Sequence, residues 1–544
     1  MADDGARGRI GDFMATRRDV LTALGSGALA LHGSAGRAVA ASSGTAQTGI
    51  AYGCVYEVHG EGQRRTRCDD GLAGVMLSNG RDVVCTVANG AWALPVRNGD
   101  CVFVIKPAQW RVAGKLGAFW RHVPRAGGRH EMNFALERHN EPRRFEVLLV
   151  ADTQASTIEE LAFVRHDLLA ATRDSQAAFA IHHGDAMGDD LSLMPDYLEI
   201  IEETGLPWHH CPGNHDMDFG AAGTAGTLAL WKQLVGPGYY AFEHGEAVFL
   251  ILNNVEPVEP SAGEKPYRGR FGADQLRFVR NVLRHVDIDR LVVVSMHIPL
   301  QCFGEPNAAA ATTADRAELL ELLSAYPHTL SFAGHSHTSE HHYFGREEGS
   351  KRDRPHHHQV LTAVCGSWWS GERDAHGVPV ADSRDGSPRG HHVLSIEGPK
   401  ASTRFVPARP AGPNQMRVML CREDESGTLA LADQRLGVRE TCPVALVVDV
   451  FDGGARTRVS VTFNGLAGTA TAMTAISVID PYVKSSYART PALCKPWLEA
   501  CASSHIWHTA LPADLGAGVH TVAVTAASDT GAVHRETFTF EVVA

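Results

Sequence analysis

Short apolar runs alternate with stretches of three-to-four-residue periodicity through the middle of the chain. The runs include FEVLLV (145–150), AFAI (178–181), LVVVS (291–295) and TLSFA (329–333). Between them lie STIEELAFVRHDLLAATRDS (156–175), PDYLEIIEETG (195–205), GADQLRFVRNVLRHV (272–286) and DRAELLELLSAYP (315–327). Apolar residues at i, i+3 and i+4 predict helices, and uninterrupted apolar runs predict strands covered on both faces. Thr157 and Glu160 are spaced as a capping box, and Gly205 is placed to end its helix. Alternation of the two signals predicts an α/β domain over residues 143–398 whose sheet is covered on both faces.

The flanks follow a different period. In GLAGVMLSNGRDVVCTVANGAWALPV (71–96), Asn-Gly occurs twice between strand-like runs, which marks hairpins. A β-sandwich is therefore expected over residues 50–140, followed by the polar stretch HNEPRRFE (139–146). Residues 400–544 return to alternation, ending in HTVAVTAASDTGAVHRETFTFEVV (520–543), a hairpin pattern within a second all-β sandwich.

Length agrees with several domains, since 544 residues exceed what a single core supports. The net charge of −12 argues against a nucleic-acid partner. No apolar stretch is long enough to span a membrane, and the sequence leaves the oligomeric state open. Arg17 and Arg18 precede a weakly apolar, Gly- and Ser-interrupted run that ends in Ala38-Val39-Ala40. Residues 1–41 thus resemble a twin-arginine export signal, so the expected location is periplasmic or secreted. Eleven cysteines fit an oxidising compartment, and their odd number leaves at least one unpaired. Buried free thiols are the competing reading of the same count.

The candidate chemistry sits where the apolar runs of the middle region stop. One run ends in Asp152 and Gln154, the next in Asp185, the third in Asn214, His215 and Asp216. Two more end in His297 and in His335 and His337. In open α/β sheets the C-terminal ends of parallel strands are where ligands bind. A mixture of carboxylate, amide and imidazole suits borderline or hard divalent ions such as Zn, Mn or Fe, and is not a thiolate site. The candidate ligands outnumber the needs of one tetrahedral ion and imply two divalent ions sharing a carboxylate. Asp189 and Asp190 read as caps of the following segment, and His356, His357 and His358 as a solvated loop. Trp368 and Trp369, in VCGSWWSGERD (364–374), are candidates for a substrate wall, with core packing as the alternative.

Taken in order, Asp152-Thr153-Gln154, Gly184-Asp185, Gly213-Asn214-His215-Asp216, Met296-His297 and Gly334-His335-Ser336-His337 resemble the motif series of the calcineurin-like metallophosphoesterases. The flanks resemble an exported bacterial subgroup whose N-terminal module is similar to transthyretin or carboxypeptidase-regulatory domains. The resemblance implies a central α/β sandwich of two sheets flanked by helices, and a phosphoesterase acting on phosphate mono- or diesters by attack of a metal-bound hydroxide. It implies a first metal on Asp152, Gln154, Asp185 and His337, and a second on Asp185, Asn214, His297 and His335. His215 becomes the acid or phosphate contact, oriented by Asp216. Gln154 departs from the histidine of many members. The alternative function is a catalytically weak metal-containing envelope protein that docks a glycan or another partner through its sandwiches. Loss of motif residues would favour it.

Overall fold

The structure, a computed structural model, describes residues 49–544 apart from 60–69, 115–116, 125–126, 222–225, 409–414, 424–426, 439–443, 465–469 and 529–530. The export-signal reading of residues 1–41 lies outside the described residues.

Two sheets form the middle of the molecule. Their strands are β1 (Arg144–Val150), β2 (Ala177–His182), β3 (Trp208–His210), β4 (Tyr240–His244), β5 (Ala247–Ile251), β6 (Leu291–Ser295), β7 (Thr329–Ala333), β8 (Glu340–Phe344), β9 (His356–Val360), β10 (Gly390–Glu397) and β11 (Lys400–Pro407). The first sheet has the order β3-β2-β1-β10-β11, the second β4-β5-β6-β7-β9-β8. Neighbours β1, β2 and β3 are parallel, as are β5, β6, β7 and β9. The remaining pairings in these two sheets are antiparallel.

Side-chain alternation along β1 and β2 divides the interior. Val147, Leu149, Phe179 and Ile181 face the second sheet, where they meet Phe249, Val292 and Phe332. Leu148, Val150 and Ala180 point the other way, onto helices α1 (Ile158–Arg173) and α2 (Met194–Glu203). Helices α3 (Ala273–Leu283) and α4 (Arg316–Leu323) cover the second sheet through Phe278, Val279, Leu319 and Leu323. Four helices thus appear where the periodicity predicts them, and the two-sheet sandwich is the one the resemblance implies. The start of α1 departs in detail. Thr157 Oγ1 accepts from Glu160 N at 3.1 Å, but the Glu160 carboxylate reaches Ser156 N at 2.7 Å.

His356, His357 and His358 are not a solvated loop. They form β9, with His356 and His358 buried. Ser331 Oγ satisfies both of those rings, at 2.8 and 2.7 Å, and burial keeps all three imidazoles below their ordinary pKa. Neutral imidazoles with hydroxyl partners can occupy an interior strand at little cost.

The flanking regions are all-β. On the N-terminal side, Gly49–Glu57, Ala91–Val96, Phe134–Arg138, Trp110–Val112 and Arg129–Glu131 pair in one sheet. Met76–Ser78, Val83–Cys85, Cys101–Ile105 and Trp120–His122 pair in the other, and the apolar faces of the two enclose Val55, Leu77, Trp92 and Phe134. Asn79 Oδ1 accepts from Arg81 N and Asp82 N at the predicted hairpin turn. Beyond β11 two five-stranded sheets enclose Leu446, Val448, Trp507 and Val522, and Gly518–Ala527 pairs with Val533–Val543 as a hairpin. Cys54 is disulfide-bonded, whereas Cys421, Cys494 and Cys501 are free thiols.

Both flanks are fastened to the middle by buried charge. Glu141 accepts from Lys106 and from the backbone of Gln109 and Gly245, at 2.8 and 2.9 Å for the two amides. On the other side His505 lies between Asp449, 2.6 Å from Nδ1, and Asp385, 2.9 Å from Nε2. Asp449 and His505 belong to the C-terminal strands, and Asp385 to the loop before β10.

Candidate metal centre

Parallel pairing within each sheet brings strand ends to a common edge, and the two sheets bring those edges together. Asp152 and Gln154 follow β1, Asp185 follows β2, and Asn214, His215 and Asp216 follow β3. His297 follows β6, and His335 and His337 follow β7. The loops there are tightly bent. Eleven non-glycine residues have positive φ among the described residues. Eight of them are Asp152, Gln154, Asp185, Asp189, His335, His337, Trp368 and Trp369. Such conformations cost on the order of 1–3 kcal/mol each and persist where surrounding contacts over-determine them. Glycines make room for the acids. A Cβ on Gly213 would lie 2.1 Å from Asp185 Oδ1, and one on Gly334 would lie 2.3 Å from Asp152 Oδ2.

The first cluster joins the two sheets. His297 Nε2 lies 3.2 Å from Asp185 Oδ2, 3.1 Å from Asn214 Oδ1 and 3.1 Å from His335 Nδ1. Asp185, His297 and His335 each offer a ligand atom, all within 4.8 Å of one another. Backbone carbonyls set which ring nitrogen faces inward. His297 Nδ1 is 2.8 Å from His183 O and His335 Nε2 is 3.0 Å from Ala310 O. With those nitrogens donating, the inward nitrogen of His335 is left with a lone pair, and that of His297 would be once a cation displaced its second proton.

The second cluster adjoins it through Asp185. His337 Nδ1 is 2.5 Å from Gly366 O, which turns Nε2 inward, 3.8 Å from Asp152 Oδ1. That Nε2 is buried and has no hydrogen-bond partner. Gln154 Nε2 donates to Asp185 Oδ2 at 3.1 Å, while its oxygen faces Cys365 Sγ at 3.6 Å. Asp152 accepts from His335 N through both oxygens.

Titration behaviour follows from this crowding. Burial, with Asp185 close by, pushes Asp152 up to about 8. Burial also opposes ionisation of Asp185, but His297 and His215 hold it below the usual carboxylate range. Burial disfavours charge on His297, yet Asp185 and Asp152 raise it to about 9. Burial takes His335 down to about 3 and His337 to about 4. A proton on His297 therefore stands among acceptors where a cation would serve equally. Convergent lone pairs, an orphaned His337 Nε2 and buried adjoining carboxylates fit divalent cations as the donor set.

Two sequence readings need correction. Asp216 is not the hydrogen-bond partner of the His215 ring. Its oxygens accept from Met187 N at 3.0 Å and Gly213 N at 2.8 Å, so it braces the loops on either side. The ring partner is Asp189, with Oδ1 2.5 Å from His215 Nδ1. Asp190 does cap the next segment, accepting from Ser192 N, but Asp189 turns away at φ +80° to meet His215. Burial opposes charge on His215, while Asp185 and Asp189 raise it to about 9.

The other correction concerns the two tryptophans. Trp369 is buried, its Nε1 donates to Thr153 O at 3.0 Å, and its ring packs near Phe163 and Arg389. It braces the Asp152 loop and offers no substrate surface. Trp368 remains half-buried and stacks on His337 with centroids 4.1 Å apart.

Three consecutive family models match the chain. Residues 59–139 match the N-terminal and residues 358–534 the C-terminal model of calcineurin-like phosphoesterase, and residues 145–339 match the model described as Calcineurin-like phosphoesterase itself. No curated protein matches the chain. Among solved structures, the purple acid phosphatase PPD1 of yellow lupin (Lupinus luteus) seeds aligns at 13% identity and TM-score 0.37, over 67% of each chain. The Haemophilus influenzae NAD nucleotidase aligns at 14% identity and TM-score 0.26, over 53% of this chain and 54% of that one. Both alignments are loose, and the family models carry the assignment.

Proposed function

Because the chain belongs to the calcineurin-like phosphoesterases, a metal-dependent family of phosphoester hydrolases, we propose that it is an exported dinuclear enzyme acting on phosphate mono- or diesters. In this reading Asp185 would be shared by the two ions. Asn214, His297 and His335 complete one site, and Asp152, Gln154 and His337 the other. The observation that carries it is the set of three histidines whose outer nitrogens meet backbone carbonyls, leaving their inner nitrogens beside the carboxylates of Asp185 and Asp152. Gln154 joins the set by a half-turn of its amide, which exchanges nitrogen for oxygen toward Asp185.

Divalent cations in such a cradle neutralise phosphate charge and lower the pKa of water from roughly 15.7 to about 7. The protein's own groups do the rest. Asp185, kept ionised by His297 and His215, holds negative charge where cations are wanted, and Asp152 would join it once a cation displaced its proton. His215, fixed through Nδ1 by Asp189, keeps Nε2 for a substrate oxygen, as a hydrogen-bond donor to phosphate or an acid toward the leaving oxygen. Export rests on Arg17, Arg18 and the run that follows, and disulfide-bonded Cys54 is consistent with an oxidising compartment.

The test is a metal-analysed preparation assayed on p-nitrophenyl phosphate, bis-p-nitrophenyl phosphate and envelope phosphoesters. Turnover with two equivalents of divalent metal is expected. Full metal loading without turnover on any of them would instead favour the binding-protein alternative.

A further inference from the structure

An aromatic residue from outside the α/β sandwich stands beside Trp368. Trp497 sits in an irregular segment of the C-terminal region, 60% exposed, with its ring edge-on to Trp368 at 6.5 Å and 79°. Trp368 in turn stacks on His337, one of the candidate ligands. The segment is held in register with the loop between β9 and β10 on both sides of Trp497. Gly371 N donates to Leu493 O at 2.9 Å, and Lys495 N donates to Ser370 Oγ at 3.1 Å. Lys495 Nζ also reaches Glu160 Oε1 at 2.8 Å, at the start of α1. Farther along, Arg384 Nε donates to Glu499 O at 3.1 Å, and Cys501 N donates to Arg384 O at 3.0 Å. Arg384 N itself donates to His337 O at 3.3 Å.

Pinning of this kind has a consequence. A tryptophan left mostly in water forgoes the burial that ordinarily stabilises so large an apolar ring. Here the backbone on either side is fixed, so the ring is presented at a defined place beside Trp368. Two indoles meeting edge to face leave a π-surface beside the metal ligands.

We propose that Trp497, together with Trp368, forms a stacking wall for an aromatic ring on the alcohol portion of the phosphoester, making the C-terminal region part of the substrate site. The inference rests on the phosphoesterase reading and names its substrate class: esters bearing an aryl or heteroaryl group, over ringless ones. Trp497 is a specificity residue whose ring meets Trp368 and, among the described residues, no candidate metal ligand.

The experiment compares wild type with Trp497→Ala and Trp497→Phe. Ring-bearing substrates are p-nitrophenyl phosphate and bis-p-nitrophenyl phosphate, and ringless ones are glycerol phosphate and a glycerophosphodiester. Trp497→Ala is expected to raise KM about tenfold for the ring-bearing pair only, with kcat and metal content unchanged, since a stacking contact is worth about a factor of ten. Phe should recover most of the loss. A second arm needs no turnover. Phenylphosphonate binding, followed by tryptophan fluorescence, should weaken about tenfold in Trp497→Ala while methylphosphonate binding does not change. Equal changes for both ligand classes, or none for either, overturn the wall. The same KM rise on glucose phosphate but not on aryl esters would overturn the aromatic assignment in favour of a sugar. A wild type without turnover would sink the phosphoesterase reading alone, and the phosphonate arm would still decide the wall.

Discussion

His215 and Asp189 meet across the mouth of the site, Nδ1 to Oδ1 at 2.5 Å, although 26 residues separate them and another aspartate follows His215 directly. The two acids therefore have separable roles. Asp189→Asn should leave folding and metal content intact and lower kcat by about one order of magnitude, because a ring-orienting bond is weakened. Asp216→Ala should instead lower stability by about 2–5 kcal/mol, since Met187 N and Gly213 N lose their buried acceptor. Thermal melts and steady-state kinetics on both variants separate the roles. A kcat loss confined to Asp216→Ala would reverse them.

Asp185 and His215 are expected to fail differently. Asp185→Asn removes charge from both proposed ion sites and should lose metal and turnover together. His215→Ala should keep its metal and lose rate by about 10²- to 10⁴-fold. Elemental analysis alongside kcat decides, and a metal-depleted His215→Ala protein would contradict the ligand set.

Gln154 should make its site the weaker of the two, because an amide oxygen binds softer ions less well than imidazole does. Activity is then expected to fall in two stages as chelator is added. Gln154→His should merge them, most clearly with Zn, provided the ring reaches the position of the amide. Identical one-step curves for both proteins would exclude Gln154 as a ligand.

The His505 clasp predicts a pH-dependent attachment of the C-terminal sandwich. Burial opposes charge on His505, but Asp449 and Asp385 raise its pKa well above the ordinary value. A raised folded-state pKa stabilises fully below the unfolded value of about 6.5 and is lost as pH rises through the folded one. Asp385 shifts oppositely, below the usual range, because His505 outweighs the burial cost, so its contribution disappears as pH falls through acid values. His505→Gln should lower the melting temperature most in mildly acidic to neutral buffer and least in strongly alkaline buffer. A pH-independent difference would contradict the charged clasp.

Export is tested on the precursor. Arg17→Lys with Arg18→Lys should leave the protein in the cytoplasm at its full length, and normal secretion of that double variant would rule out the twin-arginine route.

Much of the candidate centre was legible because its residues adjoin the strands that place them. Asp152, Asp185, Asn214, His297 and His335 each follow an apolar run within a few positions, so period and motif point to one edge. Asp189 was hidden by its backbone. Side by side with Asp190 it reads as a cap, and only the left-handed turn at Asp189 separates the two. Trp368 and Trp369 were ambiguous for a related reason, since both lie at positive φ and strand alternation no longer tells which faces inward. The histidines of β9 look polar in sequence but are neutral and satisfied when buried. Trp497 gave no signal, because its neighbours come from another part of the chain.

The spread of the ligands has a temporal consequence. The first and last of them, Asp152 and His337, bracket the successive strands β2 to β7, and neither sheet alone carries a complete set. While the chain is being synthesised, little metal affinity can exist until His337 has emerged and both sheets have closed. Affinity should then appear late and abruptly, coupled to the same cooperative step that completes the fold. The metals available where that step takes place, rather than where the mature protein ends up, would set what the centre first contains.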